Sequence, residues 1–297
     1  MRSVYFGTVS EFSRAALSVL LDHGLDVCGV IVPAARLDDR PSIAPLVPRN
    51  HSPLPIVNPF ADDTIIQLAW AWHIPVYEVS RLATPQTSNA LSFLQPDVAC
   101  AACFPKRIPP SVLRLPRFGF LNLHPSLLPH YRGPYPLFWI FRNGETHAGV
   151  TIHFMDEGFD TGDIAAQALI DFPDGVSGKE ADRLCATLGG QLMVEVIESL
   201  ERGTLMQRKQ SDGGSYYPAP TNDDFEINRS WPARRVFNFM RGTSEWSHPY
   251  PIEIDAERWM LRRAVAFDVD ERLDRDYVLS GDEIAIQFNP GVLRAKL

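Results

Sequence analysis

Nowhere in the chain does an uninterrupted apolar run reach the length of about 20 residues that a membrane-spanning helix needs, so no span is expected. The opening Met1-Arg2-Ser3-Val4 passes straight into a strand-like segment, without the charged and apolar regions of a signal peptide; a cytoplasmic location is the default expectation. Cysteine is scarce, with four residues at Cys28, Cys100, Cys103 and Cys185. Cys100 and Cys103 form a C-x-x-C inside an apolar run, but on a strand an odd spacing points the two thiols to opposite faces. No second ligand pair accompanies them, so buried packing is expected and no metal site. No G-x-G-x-x-G follows the first strand, which leaves a dinucleotide site unsupported. Excess positive charge is also missing: the formal net charge is -8, which removes any global attraction for nucleic acid but leaves a local basic channel open. Internal repeats and low-complexity tracts are absent. Hydrophobic residues at 45% are what a globular chain carries, so wholesale disorder is excluded as well.

What remains is a regular alternation. Ser3–Phe6 reads as a first strand. A helix with Phe12, Ala16, Val19 and Leu20 on one face follows and stops at Gly24, and Val27–Val32 is a buried strand: a βαβ opening. Pro33 to Pro59, with seven prolines and no clear period, reads as an irregular surface excursion. Its charges are mixed, Arg36, Arg40 and Arg49 against Asp38 and Asp39. A helix is predicted from near Asp62-Asp63, with Ile65, Leu68 and Trp72 facing the sheet. A short strand at Pro75–Tyr77 follows, then a helix through Ala90, Leu91 and Leu94, and a strand over Val98–Phe104. Pro136 suits the first position of a helix. Val150, Ile152 and Phe154 alternate as a strand, and Ile164–Ile170 gives another. Ser177-Gly178-Lys179-Glu180 fits a capping box that opens a long helix ending at Gly203. Gly189-Gly190 inside that helix costs about 1 kcal/mol each, which points to close packing.

Alternation of this kind predicts an α/β fold, an open and mostly parallel sheet, over residues 1–207. Residues 208–220 read as a linker. Residues 221–297 read as a small, mostly β domain with one helix near Ala233–Met240 and strands at Trp259–Phe267, Tyr277–Leu279 and Glu283–Phe288.

The chemistry concentrates in one stretch. Phe120–His124 is a short apolar strand running into a proline-punctuated loop, and residues two apart on a strand share a face, so Asn122 and His124 sit side by side. That puts an amide donor beside an imidazole at a strand end, where parallel sheets place ligands. Asp156–Asp163 adds carboxylates on a glycine-bracketed loop. Amide, imidazole and carboxylate together are the parts for moving an acyl group. Phe138, Trp139 and Phe141 at helical spacing read as core. His130 and His153 read as packing or solvated residues, and Asp156 and Asp163 as carboxylates that cap their own loop.

Asn122-Leu123-His124-Pro125-Ser126-Leu127-Leu128-Pro129 with Tyr131-Arg132-Gly133 and Pro136 resembles the signature of the 10-formyltetrahydrofolate-dependent formyltransferases. The run from Gly149 to Asp163 and the opening Phe6-Gly7-Thr8 are similar to that superfamily too, in the same order and spacing. The resemblance covers about the first 200 residues, and Tyr216–Asn228 with Trp231 and Trp246–Pro251 resembles the start of its C-terminal region. It implies a Rossmann-like formyltransferase fold, 10-formyltetrahydrofolate as formyl donor, no metal, and Asn122, His124 and Asp160 as the catalytic trio. It further implies that the turn Phe104-Pro105-Lys106-Arg107-Ile108 and the loop carrying Met155, Asp156 and Gly158 wrap the pterin ring. Arg132 with Gly133 meets an anionic substrate or else braces its loop. Lys106 and Arg107 depart from the apolar pair that many relatives carry, and meet the folate tail or lie in a solvated turn.

Three acceptors compete: a small amine such as an amino-sugar nucleotide, the aminoacyl end of methionyl-tRNA, or water, which would make the chain a hydrolase. Relatives acting on tRNA carry a basic loop after the second strand, whereas Pro33–Pro59 holds no lysine and the C-terminal region is short. Scarce Lys/Arg for phosphates counts against tRNA and favours the small amine. A catalytically silent folate-binding module is the reading from another class, and the intact trio opposes it. A homodimer is left open.

Overall fold

The computed structural model describes residues 1–34, 41–48, 64–145 and 147–297. Arg36, Arg40, Arg49, Asp38, Asp39 and the helix start near Asp62-Asp63 lie outside the described residues. The first half of the chain runs β1 (Arg2–Phe6), α1 (Glu11–Asp22), β2 (Asp26–Pro33), β3 (Ile43–Leu46), α2 (Ile65–Ala71), β4 (Val76–Val79), α3 (Pro85–Phe93), β5 (Val98–Ala102), α4 (Pro110–Leu113) and β6 (Phe120–His124). It continues through α5 (Pro136–Asn143), β7 (His147–Phe154), β8 (Ile164–Asp171) and α6 (Gly178–Arg202) to α7 (Ala233–Gly242) and the strands β9 (Tyr250–Ile254), β10 (Glu257–Leu261), β11 (Arg263–Asp268), β12 (Tyr277–Ser280), β13 (Glu283–Gln287) and β14 (Val292–Lys296).

The large sheet has eight strands in the order β3-β4-β2-β1-β5-β6-β7-β8. β4, β2, β1, β5 and β6 pair in parallel, while β3 joins β4 and β7 joins β6 antiparallel. This is the mostly parallel α/β sheet the alternation predicted, and the smaller β layers accompany it: a hairpin of β9 and β10, and a four-stranded sheet β11-β14-β13-β12. Local chemistry sets the helix starts. Ser10, Thr64 and Thr84 cap α1, α2 and α3 by accepting a backbone N–H three residues on, and Pro136 stands at the start of α5.

Three local expectations are corrected. The stretch read as irregular contains β3, an edge strand that tolerates Pro45 because an edge need not donate on both sides. α2 covers Ile65–Ala71, and Trp72, its cap, is 48% exposed instead of facing the sheet. β5 ends at Ala102, so Cys100 is buried while Cys103 turns outward with φ 58°.

The chain divides into two compact units. The first comprises Met1–Arg132, Gly149–Leu169 and Arg183–Gly214, and the second Gly133–Ala148, Ile170–Asp182 and Ser215–Leu297. Neither is one continuous piece of chain, which differs from the simple split at 207 and 221. In the first unit the core gathers Val4, Phe6, Ile31, Val79, Leu91, Ala99, Ala101 and Phe120. In the second, Phe138, Phe225, Phe239 and Tyr250 meet edge to face at ring separations between 5.1 and 5.8 Å. Trp259–Phe267, expected as one run, is two strands with different partners, β10 with β9 and β11 with β14.

Candidate active site

β6 sets the site. Leu121 and Leu123 are buried, Leu123 against Gly189 of α6, where even a methyl group would run into the leucine side chain. The double glycine is therefore close packing, as its cost implied. With the leucines held behind the strand, the period of two turns Asn122 and His124 to the opposite face. His124 is 4% exposed.

Antiparallel pairing of β6 with β7 sets Asn122 opposite His153 and His124 opposite Thr151. The His153 ring bonds at both nitrogens: Nδ1 lies 2.9 Å from the Phe154 carbonyl and Nε2 3.1 Å from Asn122 Nδ2. A carbonyl only accepts, so Nδ1 carries the proton and Nε2 accepts from the Asn122 amide, which fixes both the tautomer and the amide's orientation from the network. His124 Nε2 sits 2.8 Å from the Tyr131 carbonyl and donates to it, leaving Nδ1 as the free nitrogen. Asp160 Oδ1 stands 3.7 Å from His124 Nδ1 and 3.6 Å from His153 Nε2. One carboxylate oxygen thus faces both imidazoles at a little more than hydrogen-bond distance. Burial pushes the His124 pKa below the ordinary imidazole value; Asp160 and the Tyr131 carbonyl push it back up, and His153 adds to the depression.

The loop that presents Asp160 is built by its own residues. Asp156 Oδ1 accepts the Gly158 N–H at 2.9 Å, and both its oxygens take the Thr161 hydroxyl, so Asp156 caps the loop as expected. Asp160 has φ 55°, a left-handed conformation that Asp tolerates better than most non-glycine residues. A Cβ on Gly162 would collide with the Phe154 carbonyl, so only glycine lets the loop return so close to β7.

Phe104 packs edge to face on Phe6 at 5.3 Å, and Phe104 and Met155 are half-buried against the first unit's core. Ile108 belongs to that core outright at 3% exposure, and Pro105 is exposed. Lys106 Nζ donates to the Ser80 carbonyl at 2.7 Å. Arg107 donates to the Glu157 carbonyl and lies 5.8 Å from the Phe159 ring, tying the turn at 104–108 to the loop at 155–160. The two segments expected to wrap one ring are therefore bonded to each other. Arg132 braces its loop, but against an amide rather than a carboxylate: Nε and Nη2 donate to Gln210 Oε1 at 3.1 and 2.6 Å. Gly133, φ 117°, falls in the second unit, where a Cβ would collide with the Tyr217 carbonyl, so its demand is steric.

Two participants escaped the sequence reading. His153, read as packing or solvated, is 2% exposed and bonded to Asn122. The signal was present: with Val150, Ile152 and Phe154 on one face of β7, Thr151 and His153 had to share the other. Gln210 lies in the stretch read as a linker. Among the described residues, no group of three or more His, Cys, Asp or Glu side chains is arranged to hold a metal ion.

Residues 2–213 match the family model described as formyl transferase. The chain belongs to the formyl transferase family. It is an enzyme of the folate-dependent N-formyltransferase type that its motifs resemble. Among curated relatives, a methionyl-tRNA formyltransferase of Pelotomaculum thermopropionicum is 32% identical over 246 residues, which is 83% of this chain and 73% of that protein. One from a Synechococcus species is 37% identical over 248 residues, 82% of this chain and 72% of that protein. Among solved structures, the N-formyltransferase of Helicobacter canadensis, in complex with folinic acid and dTDP-3-aminofucose, shares the fold at TM-score 0.67 and 16% identity, covering 100% of this chain and 99% of that one. No helix among the described residues is long and apolar enough to cross a membrane.

Proposed function

We propose that this formyltransferase moves the formyl group of 10-formyltetrahydrofolate onto the primary amine of a small acceptor of the amino-sugar nucleotide class, in the cytoplasm. Asn122, His124 and Asp160 carry the transfer. The observation that supports it most is the meeting of one amide, two imidazoles and one carboxylate oxygen, with both imidazole–carboxylate separations below 4 Å.

Attack of an amine on the formyl carbon generates a tetrahedral oxyanion. Asn122 gives one N–H to His153 and keeps the other for that oxygen, a donor worth about 2.7–4 kcal/mol where similar oxyanion contacts have been removed. The acceptor attacks as the neutral amine, its ammonium proton having gone to solvent beforehand. On attack its nitrogen becomes positively charged and must lose one proton, which His124, held neutral by burial, takes at Nδ1, with Asp160 as the relay and then as the counter-charge of the imidazolium. The same Nδ1–H then serves the oxyanion and finally protonates the departing folate nitrogen. Tyr131 occupies Nε2 throughout, so every proton His124 handles passes through Nδ1. The bonded pair of loops at 104–108 and 155–160 is the folate cradle in this reading.

A small acceptor is favoured by charge. Residues 221–297 hold eleven Arg and Lys against fourteen Asp and Glu. Several of those cations are paired: Arg229 with Asp276, Arg294 with Glu271, and Lys296 with Asp282 and Glu283. A surface with this balance offers little for a phosphate backbone to release counterions against. Methionyl-tRNA is the second reading, favoured by the identity to curated methionyl-tRNA formyltransferases. An acceptor screen with 10-formyltetrahydrofolate, read by product mass, tests the proposal. Formyl-amides of amino-sugar nucleotides support it; formylmethionyl-tRNA as the one product, with binding that falls steeply with salt, replaces it by the second reading. Formate released without any amine indicates a hydrolase.

A further inference from the structure

His124 and Asp160 do not hold each other: at 3.7 Å their nitrogen and oxygen stop short of a hydrogen bond. Something else must set that gap. The backbone of Tyr131 fixes His124 by accepting from Nε2. The next residue, Arg132, grips Gln210 Oε1 with two N–H groups, and Gln210 Nε2 donates to the carbonyls of Asp160 and Gly162, both at 2.8 Å. A closed circuit results: His124, Tyr131, Arg132, Gln210, Asp160, and across the gap to His124. The carboxamide orientation is fixed, because the flipped form would set an NH2 against two arginine donors and an oxygen against two carbonyls. Both bonds fall on the loop whose residue 160 has φ 55°.

The surrounding strap is bonded just as densely. Arg208 and Ile164 exchange both backbone hydrogen bonds at 2.8 and 2.9 Å, and Arg208 donates to Gln167. Gln167 Nε2 in turn donates to the Leu128 carbonyl and to Thr151 Oγ1 at 2.8 and 2.9 Å. Gly214 lies so close to the Pro129 carbonyl that a Cβ there would collide with it. Residues 208–214, read as a linker, therefore clasp the Leu128–Arg132 loop and the Asp160 loop within one compact unit.

We propose that Gln210 is a positioning residue of the formyl-transfer site, holding the Asp160 backbone so that its carboxylate faces His124. The inference rests on the catalytic reading above. Gln210→Glu is the sharp variant. It keeps the acceptor for Arg132 and removes both donors, facing two carbonyl oxygens with a third oxygen. Gln210→Met keeps the volume and removes both roles.

Both variants are expected to lower kcat by about 10- to 100-fold, the cost of an ångström-scale misplacement of a reacting group, while KM for 10-formyltetrahydrofolate changes little. The acid limb of the rate profile is expected to move to lower pH. Of the groups facing His124, Asp160 alone supports its charged form through space, and His153 opposes it. A merely structural role would leave that limb in place. Wild-type kcat and an unmoved acid limb in both folded variants would overturn the inference. So would loss of the cooperative melt in both, since the carboxamide would then hold the whole unit rather than one loop. Asn122→Ala, run alongside, separates the failures: if it is inactive while both Gln210 variants work normally, only the positioning role falls, and if it too is fully active, the catalytic reading falls.

Discussion

Replacing Asp160 by Asn removes one charge and almost nothing else. The residue sits at φ 55°, where Asn is the best tolerated side chain after glycine, so the loop keeps its course; Ala would add strain and blur the result. The Asp160 carbonyl keeps its bond to Gln210, and the fold is expected to melt as in the wild type. What is lost is the counter-charge of an imidazolium whose Nδ1 lies 3.7 Å away. Between unit charges at about 4 Å, in the effective dielectric of about 20 near a protein surface, that is about 4 kcal/mol. The carboxylate is only 19% exposed, so solvent screens it little. Taken wholly from the transition state, 4 kcal/mol is about a thousandfold in rate, inside the range of about 10²–10⁴ that positioned acid–base groups contribute. The assay is single-turnover loss of 10-formyltetrahydrofolate with saturating acceptor, alongside a thermal melt. A variant that melts normally and turns over within about threefold of wild type (well under 1 kcal/mol) would refute the role given to that charge.

His153→Ala leaves the Asn122 amide without its acceptor and is expected to lower kcat more than it raises KM for the donor; equal effects on both would point to folate binding instead. His124 gives a stability signature. Its folded pKa is depressed, so as the pH falls below about 6.5 the unfolded chain takes up a proton that the folded site resists, and stability drops. The melting temperature of His124→Gln should therefore fall less steeply than that of wild type over the same acid range, and parallel slopes would contradict the depression. Gly189→Ala drives a methyl group into Leu123 directly behind the site and is expected to cost about 1–3 kcal/mol in denaturant unfolding. An unchanged midpoint would show that α6 can give way there.

Much of this was readable from the chain because the deciding forces are local. Alternation of two on Phe120–His124 and on Val150–Phe154, the cap at Ser177, and glycine at the end of α6 are each settled within a few residues. Asn122 and His124 were legible together for the same reason, since they share a strand, whereas Asp160 was singled out among the carboxylates of its loop by the family resemblance alone. The parts that were missed depend on pairing between distant segments. His153 is an ordinary histidine until the β6–β7 register sets it opposite Asn122. Gln210 lies in a polar, glycine-containing stretch that reads as a linker, and its bonds reach residues 48 to 78 positions away. Pro45 argued against a strand, and only the antiparallel edge position of β3 accommodates it. Cys103 looked buried because the apolar run continues past the last residue that pairs.

The most direct measurement follows a carbon-labelled formyl group from 10-formyltetrahydrofolate in wild type and in Asn122→Ala, with an amino-sugar nucleotide as acceptor. The label is expected in a new amide on the acceptor with the wild-type protein, with that amide forming at least about a hundredfold more slowly in the variant. Label that appears only as free formate, or amide that forms equally fast in both proteins, would contradict the account.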